Sequence, residues 1–449
     1  MARIKVIGAG LAGVEAANAA ARLGVEVDLY EMKPIKFSPA HHNENFAELV
    51  CSNSLRSNQT SNAVGLLKEE LRIMGSLVME AAYANEVPAG SALAVNRNDF
   101  SEYITRKIKS NPKITVHNCE VSEIGDDDIT VVATGPLTSE AMAETISKIT
   151  GGDELHFFDA AAPIVDFSTV DLGKAFFASR YGKGDPEDYL NCPMTKDEYD
   201  AFYNALVSAE VAPLKQFDKE LQEDLTVFEG CMPVEVMASR GYDTLRFGPM
   251  KPVGLPLPET GEDAFATVQL RRENREGTMY NIVGFQTHLT FGEQKRVFRM
   301  IPGLESAEFF RYGVMHRNTY INSPGRLSPT YAMRERPNLF FAGQMTGVEG
   351  YIESASSGFV AGVNAALLAL GKEQMIFPKE TEIGALAAYV SEGGVSSHFQ
   401  PMNANFGIIA PLGRKVKGGK KFRNEAYAER AISMISEISE AFAKIADNA

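Results

Sequence analysis

The sequence predicts an α/β fold in which one nucleotide-binding domain is interrupted by an inserted α+β domain. The chain opens with a strand, a glycine-rich turn and a helix, and strand and helix patterns alternate to about residue 150. This alternation then weakens and returns near Pro337, and 449 residues exceed what one ordinary core holds. We therefore expect a discontinuous domain over 1–150 and 325–449, with the insertion over 151–324.

The first elements are predicted to form a βαβ unit. Arg3–Ile7 has the pattern of a short buried strand, an Ala-rich helix extends to about Leu23, and Val25–Tyr30 is a second strand. The polar stretch from Pro34 to Asn62 then forms a loop too elaborate for a simple connection, and such loops are often functional.

The turn after the first strand carries the spacing G-x-G-x-x-G. In that fingerprint the glycines provide a tight turn, close backbone approach to a pyrophosphate, and close packing of helix on strand. The pyrophosphate lies at the helix N-terminus, where unpaired N–H groups favour an anion. An acidic residue at the end of the second strand accepts hydrogen bonds from the ribose. The predicted cofactor-binding residues here are Gly8, Ala9, Gly10, Leu11, Ala12, Gly13 and Glu31.

Further elements follow along the chain. The pattern predicts helices over Ala63–Met74 and Asn98–Lys109, and strands over Ala92–Val95, Ile114–His117 and Ile129–Gly135.

In the predicted insertion, Thr195 with Glu198 forms a capping box for a helix, and short strands separated by turns run from about Val227 to Phe291. The α/β pattern resumes with the strand NLFFAG, Asn338–Gly343, and a helix of small residues through Ala366.

Two later segments favour FAD over NAD as the bound dinucleotide. The ATG of Ala133–Gly135 and the FAG that ends at Gly343 each close a strand, and both resemble the two-dinucleotide-fold flavoproteins. We therefore predict a Rossmann-like FAD-binding domain and add Gly135, Gly343 and Gln344 to its site, although many such proteins carry Asp where Gln344 stands. Because the sequence has no second G-x-G-x-x-G, NAD(P)H would bind transiently at the flavin face.

Composition narrows the functional class. Hydrophobic residues make up 45% and charged residues 23%, which is normal for a globular enzyme, and the formal net charge is −14. Four cysteines without a CxxC spacing predict neither a disulfide framework nor a metal site. The opening MARIKVIGAG leaves no room for a signal peptide, and no apolar run approaches membrane-spanning length, so we expect a cytoplasmic protein without a membrane partner.

One segment departs from the acidic average. Arg414–Arg423 carries six basic residues in ten. It is compatible with a local basic face for RNA or with a solvated flexible loop, and charge patterning alone does not choose between them.

Long stretches of the chain resemble the folate- and FAD-dependent tRNA (uracil-5-)-methyltransferases, from the first strand to about Ile409. The stretches include KVIGAGLAGVEAA, NFAELVCSNSLRS, VPAGSALAVNR, FEGCMPVEVMASRG, NIVGFQTHLTFGEQKRVFRMIPGL and FFAGQMTGVEGYIESASSG. The resemblance implies that FAD, reduced by NAD(P)H, takes a one-carbon unit from methylenetetrahydrofolate and delivers it as a methyl group to the tRNA T-loop uridine. Gln344 belongs to this family's pattern.

The implied chemistry needs an activated thiol, because carbon 5 of uracil becomes nucleophilic when a thiolate adds at carbon 6. Cys231 matches the cysteine that the family uses against uracil, and it stands just before a predicted helix N-terminus, which favours the thiolate. Without the resemblance, a buried structural Cys would be the commoner outcome. Cys51 also lies in a family motif and is predicted either near the flavin or as a second thiol.

The resemblance suggests the remaining site residues. Tyr351 is a candidate base for the carbon-5 proton, with a ring packed beside the cofactor as the alternative. His288 is a candidate to stack on the folate pterin. Arg97, Lys295 and Arg296 are candidates for the folate glutamate or RNA phosphates, with ordinary surface charge as the alternative.

The sequence alone leaves other functions open. The same chemistry on an rRNA uridine is one, and a flavin oxidoreductase acting on a small molecule, with an idle Cys231, is another. A third is a partner-dependent RNA-modification flavoprotein of the larger wobble-uridine type. The chain lacks the extra C-terminal length of that type, so no obligate protein partner is evident.

Overall fold

The computed structural model describes residues 2–38, 40–152, 154–160, 162–182, 185, 187–212, 232–274, 276–313, 315–393, 399–414 and 416–447. Within this part of the chain the strands are β1 (Arg3–Ile7), β2 (Glu26–Glu31), β3 (Ser54–Ser57), β4 (Glu86–Val87), β5 (Ala92–Val95), β6 (Ile114–Asn118), β7 (Thr130–Val132), β8 (Glu154–Ala160), β9 (Ile164–Asp166), β10 (Phe176–Phe177), β11 (Tyr189–Met194), β12 (Ala266–Arg272), β13 (Met279–Ile282), β14 (Phe309–Arg311), β15 (Met315–Ile321) and β16 (Leu339–Phe341).

The helices of the same part are α1 (Leu11–Arg22), α2 (Ala63–Ile73), α3 (Leu77–Ala84), α4 (Arg97–Ser110), α5 (Glu140–Thr150), α6 (Lys196–Val207), α7 (Val234–Ser239), α8 (Thr244–Phe247), α9 (Phe291–Phe298), α10 (Tyr351–Ala369), α11 (Glu382–Glu392) and α12 (Lys420–Asp447).

A five-stranded parallel sheet carries the first domain, in the order β16-β7-β1-β2-β6. Helices α1 and α10 pack against each other through small residues. A Cβ added at Gly358 would lie 2.1 Å from the carbonyl oxygen of Ala12, and one at Gly362 would lie 2.4 Å from Cα of Ala16. This close contact brings the N-termini of both helices to the same edge of the sheet, where the strands β1, β7 and β16 end.

The inserted segment builds a second sheet of six strands, in the order β10-β11-β12-β13-β9-β14, and neighbouring strands in it pair antiparallel. The predicted capping box of Thr195 and Glu198 is present at the start of α6. The two larger hydrophobic cores among the described residues follow this division: one draws on residues between 4 and 146 and between 321 and 442, the other on residues between 165 and 307. Apart from Ile321 in the first core, the two cores fall on opposite sides of the predicted boundaries, which stay a prediction.

Helix α10 is long and apolar enough to cross a membrane by length and composition, so the expectation that no run approaches this length is wrong. In its most apolar window, 83% of the residues are buried inside the protein. Small residues that pack against α1 therefore account for its apolar composition.

Several elements were not predicted from the sequence. The polar loop from Pro34 to Asn62 contains strand β3, which pairs with β5. Helix α3, with its N-cap Ser76, and the long C-terminal helices α11 and α12 were also missed. The loop is thus partly built into the small sheet β3-β5-β4, and this pairing holds its central residues in place.

Candidate functional site

The end of the parallel sheet opens into a cleft of about 1150 Å³ that is partly continuous with solvent. Its wall contains the predicted cofactor residues Gly8, Ala9, Gly10, Leu11, Ala12, Glu31, Gly135, Gly343 and Gln344. Gly13 lies behind the wall, where an added Cβ would meet the Gly8 carbonyl oxygen at 1.8 Å. The glycine fingerprint therefore shows two of the three features expected of it, an open backbone toward the cleft and close packing behind it.

The cleft fits a dinucleotide such as FAD. An added Cβ at Gly10 meets no protein atom within 4 Å, so the space above the N-terminus of α1 is open to a phosphate group. The first N–H groups of any helix have no partner within the helix, and Leu11 and Ala12 line this space. The Glu31 carboxylate accepts hydrogen bonds from the backbone N–H groups of Ala9 (2.8 Å) and Lys33 (3.0 Å), which fix it in the wall with lone pairs left for ribose hydroxyls.

Two cleft residues that the sequence analysis did not identify are Lys33 and His41. The Lys33 ammonium group is buried and donates to the carbonyl oxygens of Asn43 (3.1 Å) and Asn45. Burial lowers the pKa of Lys33, and burial also lowers the pKa of His41. Lys33 thereby ties the polar loop to the end of β2, and its position two residues after Glu31 is the signal that would have pointed to it.

A second cavity, of about 1120 Å³, adjoins the cleft. The two spaces share Gln344 and Tyr351 in their walls. The rest of the second wall includes the side chains of Cys51, Arg271, Asn281, Gln286, Glu349 and Asn403. A ligand in the cleft and a ligand in this cavity can therefore meet at Gln344 and Tyr351.

Tyr351 anchors the loop that carries Cys51. Its hydroxyl oxygen accepts hydrogen bonds from the backbone N–H groups of Cys51 (2.8 Å) and Ser52 (3.0 Å). Burial raises the pKa of Tyr351 above its usual value, and the nearby Cys51 acts in the same direction. The hydroxyl is therefore protonated at neutral pH, which argues against the predicted base, although its assignment stays untested.

Buried guanidinium groups hold the same loop from the other side. Arg97 pairs with Glu273 (2.7 Å) and donates to the carbonyl oxygens of Leu49 (2.7 Å) and Cys51 (3.4 Å). Arg311 donates to the backbone carbonyl oxygen of the residue between Leu49 and Cys51. Arg97 was predicted to contact the folate glutamate or RNA phosphates. Its side chain is only 14% exposed and is engaged by these groups, so in this structure it positions the Cys51 loop instead.

Cys231 lies outside the described residues. The chain before and after its segment binds one stretch of backbone: the Ala212 N–H donates to the His288 carbonyl oxygen (2.8 Å), and the Val234 N–H donates to that of Gln286 (2.7 Å). The His288 side chain lines neither of the two cavities, and burial lowers its pKa, so its ring is neutral at pH 7. Stacking of His288 on a pterin stays a prediction.

Lys295 and Arg296 lie on the surface of α9. Lys295 pairs with Glu308 (3.8 Å), and Arg296 pairs with Glu293 (2.6 Å) one turn earlier. Neither residue lines the cleft or the second cavity. This placement matches the alternative of ordinary surface charge.

The basic segment 414–423 is exposed over nearly all of its described residues and ends in the first turn of α12. Asn424, which follows it, donates to the carbonyl oxygen of Ser61 (3.0 Å). Among the described residues, no cluster of three or more His, Cys, Asp or Glu side chains is arranged to hold a metal ion.

The parallel sheet, the glycine turn and the cleft at the strand ends define an α/β flavoprotein of the Rossmann-like class. The family model described as Glucose inhibited division protein A matches residues 3–373. GidA of Aquifex aeolicus has a similar structure, with a TM-score of 0.69 and 18% identity over 99% of this chain and 75% of that chain. At this identity the likeness establishes the fold.

Closer relatives narrow the family. The methylenetetrahydrofolate–tRNA-(uracil-5-)-methyltransferase TrmFO of Acetivibrio thermocellus is 60% identical over 97% of this chain and 98% of its own. The protein of the same name from Bacillus subtilis is 57% identical over the same shares of both chains. The chain therefore belongs to the TrmFO family within the GidA-like flavoproteins, which confirms the predicted family and fold class.

Proposed function

We propose that the protein is an FAD- and NAD(P)H-dependent methylenetetrahydrofolate–tRNA-(uracil-5-)-methyltransferase that forms 5-methyluridine in the tRNA T-loop. The observation that carries this proposal is the junction of the dinucleotide cleft with a second cavity at Gln344 and Tyr351. Relatives that bear this name match 97% of the chain at 57–60% identity.

The residues of the cleft would hold FAD by its phosphates and ribose. The backbone from Gly8 to Ala12 receives the pyrophosphate, and Glu31 accepts from the ribose hydroxyls. When bound, FAD supplies the electrons that turn a methylene unit into a methyl group. Tyr351 and Gln344 would stand where the cofactor meets the cavity that takes the pyrimidine and the folate.

The chain supplies thiols for activation of the pyrimidine. Following the family resemblance, Cys231 adds to carbon 6 of uracil, and Cys51 acts beside the flavin or as a second thiol. Cys51 lies in the cavity wall, and Arg97 and Arg311 hold its loop through backbone carbonyl oxygens. His288 stacks on the pterin in this proposal.

The proposal places the reaction in the cytoplasm, on tRNA, with no obligate protein partner. An rRNA uridine is the alternative target, since the same cavity chemistry would serve another RNA loop. The two targets are separated by supplying each RNA to the same preparation of holoprotein.

The test incubates holoprotein with unmodified tRNA transcript, NAD(P)H and methylenetetrahydrofolate labelled in its methylene carbon. Label in 5-methyluridine at the T-loop is the expected result. NAD(P)H oxidation without transfer, whether or not RNA is present, would replace the proposal with a small-molecule oxidoreductase.

Cysteine variants test the proposed thiol chemistry. Cys231→Ala should abolish transfer while the protein keeps its FAD, and retained transfer would remove Cys231 from the nucleophile role. Cys192→Ala is the matched control, because burial raises the pKa of the Cys192 thiol to about 12 and makes it inert. This control should keep transfer.

A further inference from the structure

The second cavity contains a carboxamide without a partner. Asn281 lies on β13, is 3% exposed and lines the cavity. Its Nδ2 atom is enclosed and has no hydrogen-bond partner among the described residues. An unpaired buried amide is costly, and native proteins retain few of them without a reason such as a bound ligand or water.

A guanidinium group stands beside this carboxamide. Arg271 on β12 is directly opposite Asn281 in the antiparallel pairing, so the two side chains lie on the same face of the sheet. Arg271 donates through Nε to the side-chain oxygen of Asn53 (3.2 Å) and through Nη2 to the hydroxyl of Ser52 (2.8 Å). Its Nη1 group has no protein partner within the described part of the chain, and Arg271 also lines the cavity.

Together these two side chains offer a pattern of hydrogen-bonding groups. Arg271 Nη1 is a donor, Asn281 Oδ1 an acceptor and Asn281 Nδ2 a donor. The imide edge of uracil has the complementary order of carbonyl oxygen, ring N–H and carbonyl oxygen. Cytosine instead presents an amine, an acceptor nitrogen and an oxygen, and a pterin presents an amine, a ring N–H and an oxygen.

We infer that Asn281, assisted by Arg271, recognises the imide edge of the target uracil and thereby determines specificity for uridine over cytidine. The ring edge that carries carbons 5 and 6 lies opposite the imide edge, so recognition at Asn281 leaves that edge free for the thiol and the one-carbon donor. Enzymes that act on a single base commonly read its Watson–Crick edge in this way. The inference rests on the proposed function and assigns the residues that select its substrate.

The test is a cycle of protein and RNA variants that needs no chemistry. The Kd of oxidised holoprotein is measured for a tRNA transcript with uridine at the target position and for one with cytidine there. Wild type should bind the uridine transcript about tenfold more tightly, the effect of one or two hydrogen bonds. In Asn281→Leu this preference should disappear, so that the two transcripts have about the same Kd. An unchanged preference in Asn281→Leu overturns the inference.

Two further variants show whether the loss is specific to the cavity carboxamide. Thr267→Val is the matched control, because Thr267 is a fully buried β12 residue with an unpartnered hydroxyl that does not line the cavity. It should keep the uridine preference. Asn281→Asp keeps the side-chain shape but has an oxygen in place of the Nδ2 donor, so it should also lose the uridine preference. It replaces Asn281→Leu in the test if the Leu variant does not retain FAD.

The last measurement is the Kd of tetrahydrofolate. This Kd should be the same for wild type and for Asn281→Leu. A tenfold loss of tetrahydrofolate binding with an unchanged uridine preference would assign the carboxamide to the pterin and overturn the inference. Wild type that binds no transcript and transfers no methyl group refutes the proposed function itself, which is a different result from an unchanged preference in a competent enzyme.

Discussion

Replacing Glu273 with glutamine removes the negative charge that neutralises Arg97 beneath the Cys51 loop. The ion pair joins the two domains at 2.7 Å, with side chains 14% and 2% exposed for Arg97 and Glu273 respectively. Burial disfavours the charge on Arg97, but Glu273 together with Tyr351 and Cys51 outweighs it, so the pKa of Arg97 is above its usual value. A guanidinium group is not deprotonated in proteins, so Arg97 stays a cation in Glu273→Gln, without its counter-charge.

Leaving one member of a buried pair unpaired costs about 3–5 kcal/mol. Glutamine retains one acceptor oxygen, so we expect a loss of about 3 kcal/mol in the free energy of unfolding for Glu273→Gln. The double variant Arg97→Met with Glu273→Leu removes both charges and should recover much of this loss, because similar buried pairs tolerate apolar replacement. Urea unfolding of holoprotein, followed by circular dichroism and by flavin fluorescence, measures both values.

An exposed ion pair provides the control. Lys379 and Glu392 are also 2.7 Å apart, but each is 53% exposed. Such a pair contributes about 0–1 kcal/mol, so Glu392→Gln should change the unfolding free energy by less than that. If Glu273→Gln costs no more than Glu392→Gln, or if the double variant is as unstable as the single one, burial does not determine the contribution of the Arg97–Glu273 pair.

Other consequences follow from glycine packing, buried acids and Tyr351. Gly10→Ala should fold normally but bind FAD weakly, because the added Cβ points into the open space of the cleft. Gly13→Ala should fold poorly, because its added Cβ would lie 1.8 Å from a carbonyl oxygen. The FAD content and the thermal melting temperature of both variants check these expectations. Burial raises the pKa of Glu70 to about 8, so the folded state binds a proton at this carboxyl group more tightly than the unfolded state does. The free energy of unfolding of wild type relative to Glu70→Gln should therefore fall as pH rises from about 4.5 to 8. Urea titrations across this pH range measure it. A relative stability that rises with pH would contradict this sign. Tyr351→Phe leaves two backbone N–H groups unpaired and should therefore reduce methyl transfer. The ratio of the wild-type rate to the variant rate should be constant between pH 6 and 8, since the wild-type hydroxyl stays protonated there. A rate ratio that changes with pH would restore Tyr351 as a base.

The FAD cleft was predictable because its determinants are local. The glycine spacing, the flanking strand and helix, and Glu31 at the end of β2 are close in sequence, and each has one structural use. The contribution of Gly343 and Gln344 was also predictable, because a short apolar strand followed by a glycine marks a second strand end at the same edge of the sheet.

The second cavity was not predictable in the same way. Its wall joins Cys51 from the polar loop, Arg271 and Asn281 from neighbouring strands of the insertion, and Tyr351 from α10. These residues are brought together by the register of two strands and by the docking of the insertion, and neither is encoded in a local pattern. The sequence marked Gln286 and Asn281 as parts of a family motif without giving them a task.

Arg97 illustrates the limit of reading a charged residue from its motif. The resemblance suggested a contact with the folate glutamate or with RNA phosphates, and ordinary surface charge was the alternative. Its position instead depends on Glu273, 176 residues away, which comes from the other domain and pairs with it inside the protein. A long-range partner of this kind changes a residue from a ligand contact to a positioning residue.

The stoichiometry of NADPH consumption tests most directly whether flavin chemistry at the junction of the two cavities drives methyl transfer. Under anaerobic conditions, methylenetetrahydrofolate and unmodified tRNA are added to holoprotein, and NADPH oxidised, tetrahydrofolate formed and 5-methyluridine formed are measured together. We predict one of each per turnover, with no NADPH consumption attributable to turnover when either substrate is omitted. Formation of 5-methyluridine with dihydrofolate as the product and no NADPH consumed would contradict flavin-driven transfer.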